Sequence, residues 1–266
     1  MKNFSNKYIF IYSAVMVAIV AVILSVVAMG LKERQDNNIR NEKMQVLLAA
    51  INVNVTRDEA EANYLQYFTE ELTVATDGTV ITRFNVSEVD AKEPTRAFNI
   101  KLKDQQNLEK AGQQGAFPVY VFNKDGKKGY VIPLQGNGLW GAIYSNIALE
   151  EDFNTVMGVT FSHDSETPGL GAEITTEKFQ APFIGKKILD ENGQVVSIAV
   201  KKNANAEGMH EVDAITGGTM TSNGVDLMIR TDLARYQKFI DATLGSAAPA
   251  EAAVEEAVNE EEVNHE

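Results

Sequence analysis

The stretch DAITGGTMTSNG, residues 213–224, places hydroxyl groups and glycines directly before a periodic helical segment. After Ser222 the chain continues NGVDLMIRTDLARYQKFIDATLG, where apolar residues recur at helical spacing and form one face. The residues of that face are Val225, Met228, Ile229, Leu233, Tyr236 and Ile240. We expect Thr221 or Ser222 to cap the start of this helix and Gly245 to end it. The sequence therefore predicts a C-terminal helix with one buried face.

The loop before this helix admits two interpretations. Helix N-termini offer free N–H groups and the positive end of the helix dipole, which suits a phosphate. Gly217 and Gly218 allow a bulky group to approach the backbone. It is not a Walker A loop, because no Lys-Ser or Lys-Thr pair follows the glycines. The residues alone leave phosphate binding and a plain capping loop equally open.

Short β-type runs precede the helix, separated by turn signals such as Lys124-Asp125-Gly126-Lys127 and Asp190–Gly193. The predicted strands are residues 71–75, 80–86, 118–123, 129–134, 141–147 and 154–162, with a further pair at 187–189 and 195–200. Strands that are grouped before a terminal helix predict an α+β fold with a largely antiparallel sheet.

Residues 136–141, GNGLWG, fit the spacing G-x-G-x-x-G. A dinucleotide site needs a helix next, but AIYSNIAL follows and has the character of a strand. The pattern therefore favours a glycine-rich bend where the backbone passes close to another group. Trp140, the single tryptophan of the chain, is either a core residue or a ligand contact.

Ser162, His163 and Asp164 are the three residue types of a hydrolase triad. Adjacent residues on an extended chain point to opposite faces, so these three cannot relay a proton among themselves. No G-x-S-x-G motif occurs. We expect a solvated loop, with a metal site formed by His163, Asp164 and Glu166 as the alternative.

Residues 166–171, ETPGLG, form a rigid loop punctuated by glycine. Pro168 fixes one dihedral angle, whereas Gly169 and Gly171 permit positive φ and expose backbone amides. Such a loop either turns the chain or surrounds a ligand, and the residues by themselves favour the turn.

The N-terminal part contains 22 consecutive uncharged residues, 8–29. At about 1.5 Å per residue they span ~33 Å, close to a ~30 Å hydrocarbon core. We interpret them as a retained anchor, since a signal-peptide apolar region has only ~7–15 residues. Lysine and arginine flank both ends, with Lys2 and Lys7 before the segment, so the positive-inside rule does not decide the orientation. Residues 33–51 are predicted to continue the helix as a stalk.

The composition excludes several kinds of chemistry. The chain of 266 residues has no cysteine, which excludes disulfides, thiolate zinc sites, cysteine-ligated iron–sulfur clusters and thiol nucleophiles. The net charge of −13 lacks the basic excess that nucleic-acid binding requires. Residues 246–266 contain seven glutamates without lysine or arginine, and we expect this acidic tail to be disordered.

The stretch Asp213–Thr219, DAITGGT, resembles the flavinylation motif of FMN-binding domains: Asp, two variable residues, Ser/Thr, Gly/Ser, Ala, Thr. Gly218 stands where that family usually has alanine. In the family, a flavin transferase uses FAD as the donor and esterifies FMN to the last threonine of the motif. The resemblance implies a covalent FMN on the Thr219 hydroxyl.

Two further segments are similar to the same family. ETPGLG resembles its flavin-contacting loop, and GLWG at 138–141 resembles its glycine–aromatic strand. The chain resembles above all the family of the C subunits of sodium-translocating NADH:quinone reductases. The G subunit of the related ferredoxin–NAD electron transport complex is the alternative within this class. An anchored periplasmic binding protein without cofactor is the alternative from another class, followed by an anchored hydrolase.

The resemblance implies a single-pass inner-membrane subunit with a cytoplasmic N-terminus and a periplasmic flavin domain. It further implies one-electron transfer coupled to sodium export, with the other membrane subunits, the flavin transferase and the lipid bilayer as partners. The predicted cofactor-binding residues are Thr219, Asp213, Thr216, Gly217, Gly218, Met220, Thr221, Ser222, Thr167, Gly169, Leu170, Gly171 and Trp140; neither a metal ligand nor a catalytic side chain is predicted. The predicted division is a cytoplasmic N-terminus at 1–7, a transmembrane helix at 8–29, a stalk and first lobe at 30–100, an FMN-binding domain at 101–245 and the acidic tail at 246–266.

Overall fold

The computed structural model describes residues 5–245 of the chain. Lys2, used above to weigh the orientation, and the acidic tail 246–266 lie outside the described residues, so their predicted roles stay predictions.

The chain begins with α1, a continuous helix of 45 residues over Asn6–Ala50. Its N-terminal part holds a stretch long and apolar enough to cross a membrane, and none of that stretch is buried against the rest of the protein. Toward its C-terminal end the same helix becomes part of the core, where Met44, Leu47 and Leu48 are buried. The helix predicted beyond the apolar stretch is therefore present as the continuation of α1, and its role as a stalk stays a prediction.

A six-stranded antiparallel sheet forms the centre of the fold, in the order β2-β1-β3-β4-β5-β6. The strands are β1 Phe68–Val74, β2 Val80–Asn85, β3 Phe117–Lys124, β4 Lys127–Asn137, β5 Ala142–Glu150 and β6 Val156–His163. The α+β class with a largely antiparallel sheet is confirmed. Because β1 pairs with β3, strands from the predicted first lobe and from the predicted FMN-binding domain share one sheet.

The predicted strand pair at 187–189 and 195–200 is wrong in extent. Only an isolated bridge joins Leu189 to Val195. Ser197 has a φ of 70°, which breaks the extended conformation. The chain resumes as β7, Ala199–Lys201, which pairs in parallel with β8, Glu211–Asp213.

The remaining helices are α2 Ala60–Tyr67, α3 Leu102–Lys110, α4 Glu177–Gln180 and α5 Thr219–Ala234. The predicted N-cap of the last helix is wrong, whereas Gly245 is the last described residue, so its predicted role at the helix end stays a prediction. Helix α5 begins at Thr219 and its N-cap is Gly218, with no side-chain cap hydrogen bond. Thr221 and Ser222 lie inside its first turn, where their hydroxyls bond to other segments. A turn at Arg235 and Tyr236 separates α5 from further helical residues at 237–245.

The two faces of the sheet bury separate clusters. On the face covered by the end of α1, Tyr120, Phe122 and Val131 pack with residues of α1 and α2. On the opposite face, α5 covers the sheet, and every residue of its predicted apolar face is buried. We call these the α1 face and the α5 face. Each large apolar side chain buried in them contributes roughly 1.5–3 kcal/mol.

Candidate cofactor site

Three loops meet at the end of the sheet where α5 begins. They are the β4–β5 turn at 137–141, the loop 164–171 after β6, and the loop 214–218 before α5. A Cβ on Gly224 would collide with the carbonyl oxygen of Asn137. The absence of a side chain there allows the first turns of α5 to lie against the end of β4.

Thr219 is the first residue of α5 and is exposed. The helix has no side-chain cap, so its first amides have no acceptor from a capping side chain, as helix geometry dictates for an N-terminus. Ser222, also a predicted cofactor-binding residue, has its amide and its hydroxyl engaged within the protein. Its N–H donates to the carbonyl of Gly218 at 2.9 Å, and its hydroxyl accepts the N–H of Ile215 at 3.0 Å. Ser222 therefore holds the loop to the helix.

The two motif glycines lie against the loop 166–171. Gly217 has a φ of +81°, and a Cβ added there would lie 2.9 Å from Leu170 Cδ2. A Cβ on Gly218 would lie 3.0 Å from Ile215 Cγ2 and 3.3 Å from the carbonyl oxygen of Leu170. The alanine that is usual in the flavinylation motif at Gly218 therefore needs only a small local adjustment.

The loop 166–171 is a turn, as its residues predict. The carbonyl of Thr167 accepts N–H groups from Leu170 and Ala172, both at 3.1 Å. Gly169 has a φ of +76°, and its N–H donates to Glu173 Oε1 at 3.0 Å. These bonds fix the turn so that Thr167, Gly169 and Leu170 remain exposed.

Glu166 joins two of the three loops to helix α5. Its Oε1 accepts the backbone N–H of Trp140 at 2.8 Å, and its Oε2 accepts the hydroxyl of Thr221 at 2.5 Å. The residue is only 4% exposed. A Cβ on Gly138 or Gly171 would collide with its carboxylate oxygens, so both positions require glycine.

The electrostatics of Glu166 combine two opposing effects. Burial opposes ionisation, but the Thr221 hydroxyl and the backbone amides of residues 139–141 outweigh it and lower the pKa of Glu166. Among residues 5–245, no lysine or arginine forms an ion pair with Glu166. A carboxylate held only by neutral donors therefore lies beneath the site.

Large apolar side chains are exposed around the same loops. They are Leu139 (51% exposed), Trp140 (67%), Leu170 (44%) and Met220 (59%). Exposed apolar side chains grouped around one site commonly mark a binding surface. Trp140 is thus not a core residue, and its interpretation as a ligand contact stays a prediction.

A cleft of about 610 Å³ lies beside the first half of the motif. Asp213 and Thr216 line it, together with Lys202 and Asn203. Asp213 Oδ1 accepts the N–H of Ala204 at 2.9 Å, so this carboxylate orders the turn at 202–203 that also lines the cleft. The structure thus places Asp213 and Thr216 in the cleft, whereas Trp140, Gly171 and Thr221 meet around Glu166.

The residues of the triad-like segment have other roles. His163 Nδ1 accepts the backbone N–H of Glu166 at 3.2 Å, and Asp164 accepts the hydroxyl of Tyr144 at 3.2 Å. Within residues 5–245, no group of three histidine, aspartate or glutamate side chains is arranged to hold a metal ion. The structure therefore gives no support to the metal-site alternative.

Sequence reasoning misses two residues of the site. Leu139 carries no signal of its own beside Trp140, and the sequence points to the Glu166 side chain only as a candidate metal ligand. The bond between Glu166 and Thr221 spans 55 residues. Local spacing carries no signal for such a contact, although the glycines at 138 and 171 mark the positions where the backbone approaches the carboxylate.

A match to a known sequence family gives the class of protein. Residues 138–234 match the sequence model of the family described as FMN-binding domain. That range contains Trp140, the loop 166–171 and all of the motif from Asp213 to Thr219.

Comparison with whole chains is more specific. The chain is 33% identical over 211 residues to the C subunit of the Na(+)-translocating NADH-quinone reductase of Vibrio vulnificus, covering 77% of this chain and 82% of that one. The corresponding protein of Vibrio anguillarum is 35% identical over 213 residues, with 77% and 81% covered. The chain therefore belongs to the family of Na(+)-translocating NADH-quinone reductase C subunits.

A solved structure agrees with this assignment. The crystal structure of the C subunit from Parabacteroides distasonis superimposes with a TM-score of 0.67 at 39% identity. The match covers 79% of this chain and 96% of that one. The fold described above is therefore the fold of this family.

Proposed function

We propose that this chain is the one-electron carrier subunit of a membrane NADH:quinone oxidoreductase and holds FMN through a phosphoester to Thr219. The observation that carries the proposal is the exposed Thr219 hydroxyl at the uncapped N-terminus of α5. The family assignment and the match to the FMN-binding domain support it.

The phosphate end of FMN fits this helix start. A phosphoester carries negative charge, and the positive end of a helix dipole together with unpaired N–H groups stabilises an anion. The first turn of α5 supplies such groups at Thr219, Met220 and Thr221, because no side chain caps the helix. Gly217 and Gly218 leave room beside the hydroxyl, since neither carries a side chain.

The ring end of FMN fits the exposed apolar side chains. An isoalloxazine is a flat, largely apolar ring system that pairs well with aromatic and aliphatic surfaces. Trp140, Leu170 and Met220 expose such surface around the helix start, and Thr167 and Gly169 add backbone groups on the fixed turn. These residues orient the ring and exclude water from its covered face.

FMN supplies the reversible one-electron chemistry that the side chains of this chain lack. The protein positions the cofactor and sets its electrostatic surroundings. In the attachment step the Thr219 Oγ1 forms a bond to the FMN phosphorus of FAD. The pyrophosphate bond breaks, AMP leaves, and the hydroxyl proton is released. Asp213 positions the motif for this step by ordering residues 201–204 beside it.

The location and partners follow from the anchor and the family. We place the N-terminus in the cytoplasm and the flavin domain in the periplasm, where a covalent bond retains a cofactor that could not be recovered after loss. The apolar stretch of α1 contacts the bilayer. Other membrane subunits carry the donor and acceptor cofactors, and the complex couples this electron transfer to sodium export, as the names of the relatives state for those proteins.

The attachment is tested by intact-mass measurement of the full chain produced together with a flavin transferase. The expected mass exceeds that of the polypeptide by one FMN minus water, and the modified peptide contains Thr219. Thr219→Ala removes the acceptor hydroxyl and should abolish covalent flavin completely. Thr175→Ala, an exposed threonine outside the motif, serves as the matched control and should be modified fully.

Two results would contradict the proposal. One is a wild-type chain that keeps the mass of its amino acids although the transferase modifies another substrate. The other is a Thr219→Ala chain that still carries covalent flavin.

A further inference from the structure

We propose that Glu166 is a positioning residue that fixes Trp140 and the start of α5 around the flavin, and that its charge lowers the flavin reduction potential. The first half of this proposal concerns the polypeptide alone. The second half rests on the proposed function.

The positioning role follows from the two bonds of the carboxylate. Trp140 lies in the turn between β4 and β5, and Thr221 lies in α5, so one side chain ties both to the loop after β6. The hydroxyl of Ser165, the preceding residue, donates to the carbonyl of Trp140 at 3.0 Å. The backbone of Trp140 is therefore held at both its N–H and its carbonyl, while the residue remains 67% exposed.

Packing holds the carboxylate in one place. Gly138 and Gly171 approach its two oxygens so closely that a Cβ at either position would collide. The backbone N–H of Glu166 also donates to His163 Nδ1 at 3.2 Å. With its backbone and both oxygens fixed, Glu166 transmits a displacement of its own loop to the β4–β5 turn and to the start of α5.

The charge effect follows from the absence of a cation. A buried carboxylate is usually paired, but in residues 5–245 only neutral hydroxyl and amide groups bind Glu166. Its charge is therefore not cancelled locally. Reduction of a flavin adds negative charge, which a nearby anion disfavours, and this effect is strong where water is excluded. Removing the charge should make reduction more favourable.

Two variants separate charge from position. Glu166→Gln keeps the length of the side chain and its acceptor toward Trp140 but removes the charge. Glu166→Asp keeps the charge but is too short to hold both partners. Glu177→Gln removes one charge from the exposed first residue of α4 and is the control for general electrostatics.

The first measurement uses the full chain produced without transferase. Trp140 is the only tryptophan, so intrinsic fluorescence anisotropy reports its mobility alone. Anisotropy should fall in Glu166→Asp and stay near the wild-type value in Glu166→Gln. Equal anisotropy in all four proteins would overturn the positioning role, whatever the flavin does.

The second measurement is a redox titration of the flavin-loaded chain. Glu166→Gln should raise the reduction potential by about 59 mV, a tenfold change in the equilibrium constant of a one-electron couple. Glu166→Asp and Glu177→Gln should remain close to wild type. A shift as large in Glu166→Asp as in Glu166→Gln, or no shift in Glu166→Gln, would overturn the charge effect. Failure to load the wild-type chain would contradict the proposed function instead and would leave the anisotropy result standing.

Discussion

The α1 face of the sheet and the cofactor end each bury a glutamate, and the two are held in different ways. On the α1 face, Glu71 is fully buried and pairs with Arg96, whose Nε donates to Oε2 at 2.9 Å. It also accepts the Tyr64 hydroxyl at 2.9 Å and the backbone N–H of Phe98 at 3.0 Å. Glu166, at the cofactor end, has only neutral donors among the residues that the structure describes. On the α1 face, Arg96 neutralises the charge of Glu71. At the cofactor end, the charge of Glu166 has no cationic partner among the described residues.

This difference distinguishes Glu71, whose ion pair stabilises the fold, from Glu166, whose charge we propose acts on the cofactor. A buried ion pair satisfies both charges locally and ties α2, β1 and the segment before α3 together, but it exerts little field at a distance. An unpaired carboxylate held by hydroxyl and amide groups keeps its charge and its direction. Losing the cation at Glu71 should therefore affect folding, and losing the charge at Glu166 should affect the cofactor.

The largest expected effect is on stability and comes from Arg96→Met. The change leaves Glu71 buried without its cation, and breaking a buried pair in this way costs about 3–5 kcal/mol. Urea unfolding of the detergent-solubilised chain, followed by far-UV circular dichroism, measures this loss. The flavin potential should not change, because Arg96 lies on the α1 face.

Arg83→Met is the matched control for this change. Arg83 pairs with Glu70 at 2.9 Å on the neighbouring strands, but both side chains are far more exposed, at 58% and 35%. Its loss should cost less than about 1 kcal/mol. Equal destabilisation by the two variants would show that the α1 face does not depend on its buried pair.

A smaller effect is expected at the cofactor end from Gly171→Ala. The added Cβ would collide with Thr221 and with the Glu166 carboxylate, so their hydrogen bond must lengthen or the loop must shift. Overpacking of this kind costs about 1–3 kcal/mol. Unlike Arg96→Met, this variant should also lower the anisotropy of Trp140, since Glu166 holds that residue.

Gly30→Ala is the control, because nothing lies within 4 Å of a Cβ at that position. Retained anisotropy in Gly171→Ala would mean that the loop adjusts without moving Trp140. In that case the two loops and α5 are less tightly joined than the contacts of Glu166 indicate.

The sequence predicts most of the sheet and the last helix because their signals are local. Alternation and turn residues mark β1 to β6, and helical spacing marks the buried residues of α5. The predicted start of α5 is too late, since Thr221 and Ser222 have the residue types of caps. Their hydroxyls instead bond to Glu166 and to the N–H of Ile215.

Polar contacts between residues far apart along the chain could not be predicted from the sequence. Glu71 and Arg96 are 25 residues apart, and no periodicity links them. The parallel pair β7 and β8 consists of three-residue strands, too short for alternation to be visible. The motif at 213–219 is recognisable by resemblance, but the carboxylate beneath it belongs to another segment.

The smallest expected effect concerns Lys43, the second cation near Glu71. Its Nζ donates to the carbonyl of Phe98 at 2.6 Å and lies 4.7 Å from the centre of that ring. Burial lowers the pKa of Lys43 to about 8, although Glu71 opposes the shift and Arg96 adds to it. Its ammonium form is therefore less favourable in the folded than in the unfolded chain.

The sign of the pH effect follows from the lowered pKa. Between pH 8 and the unfolded value of 10.5, the unfolded chain binds more protons, so the free energy of unfolding should rise with pH. The buried hydroxyls of Tyr64 and Tyr120, whose pKa values burial raises, oppose this only above the unfolded tyrosine value of 10.0. From pH 8 to about 9.5 we expect a gain on the order of 1–2 kcal/mol.

Lys43→Met should remove that gain and leave stability flat over the same interval, whereas Lys127→Met, at the exposed first residue of β4, should keep it. Urea unfolding at several pH values measures the slope directly. A slope that persists in Lys43→Met would assign it to another group. A flat slope in Lys43→Met would assign the pH dependence to Lys43. The α1 face would then pair Glu71 with one cation, Arg96, and disfavour the charged form of a second cation, Lys43. Within the described part of the chain, the cofactor end has no such second cation, because it binds its carboxylate with neutral donors alone.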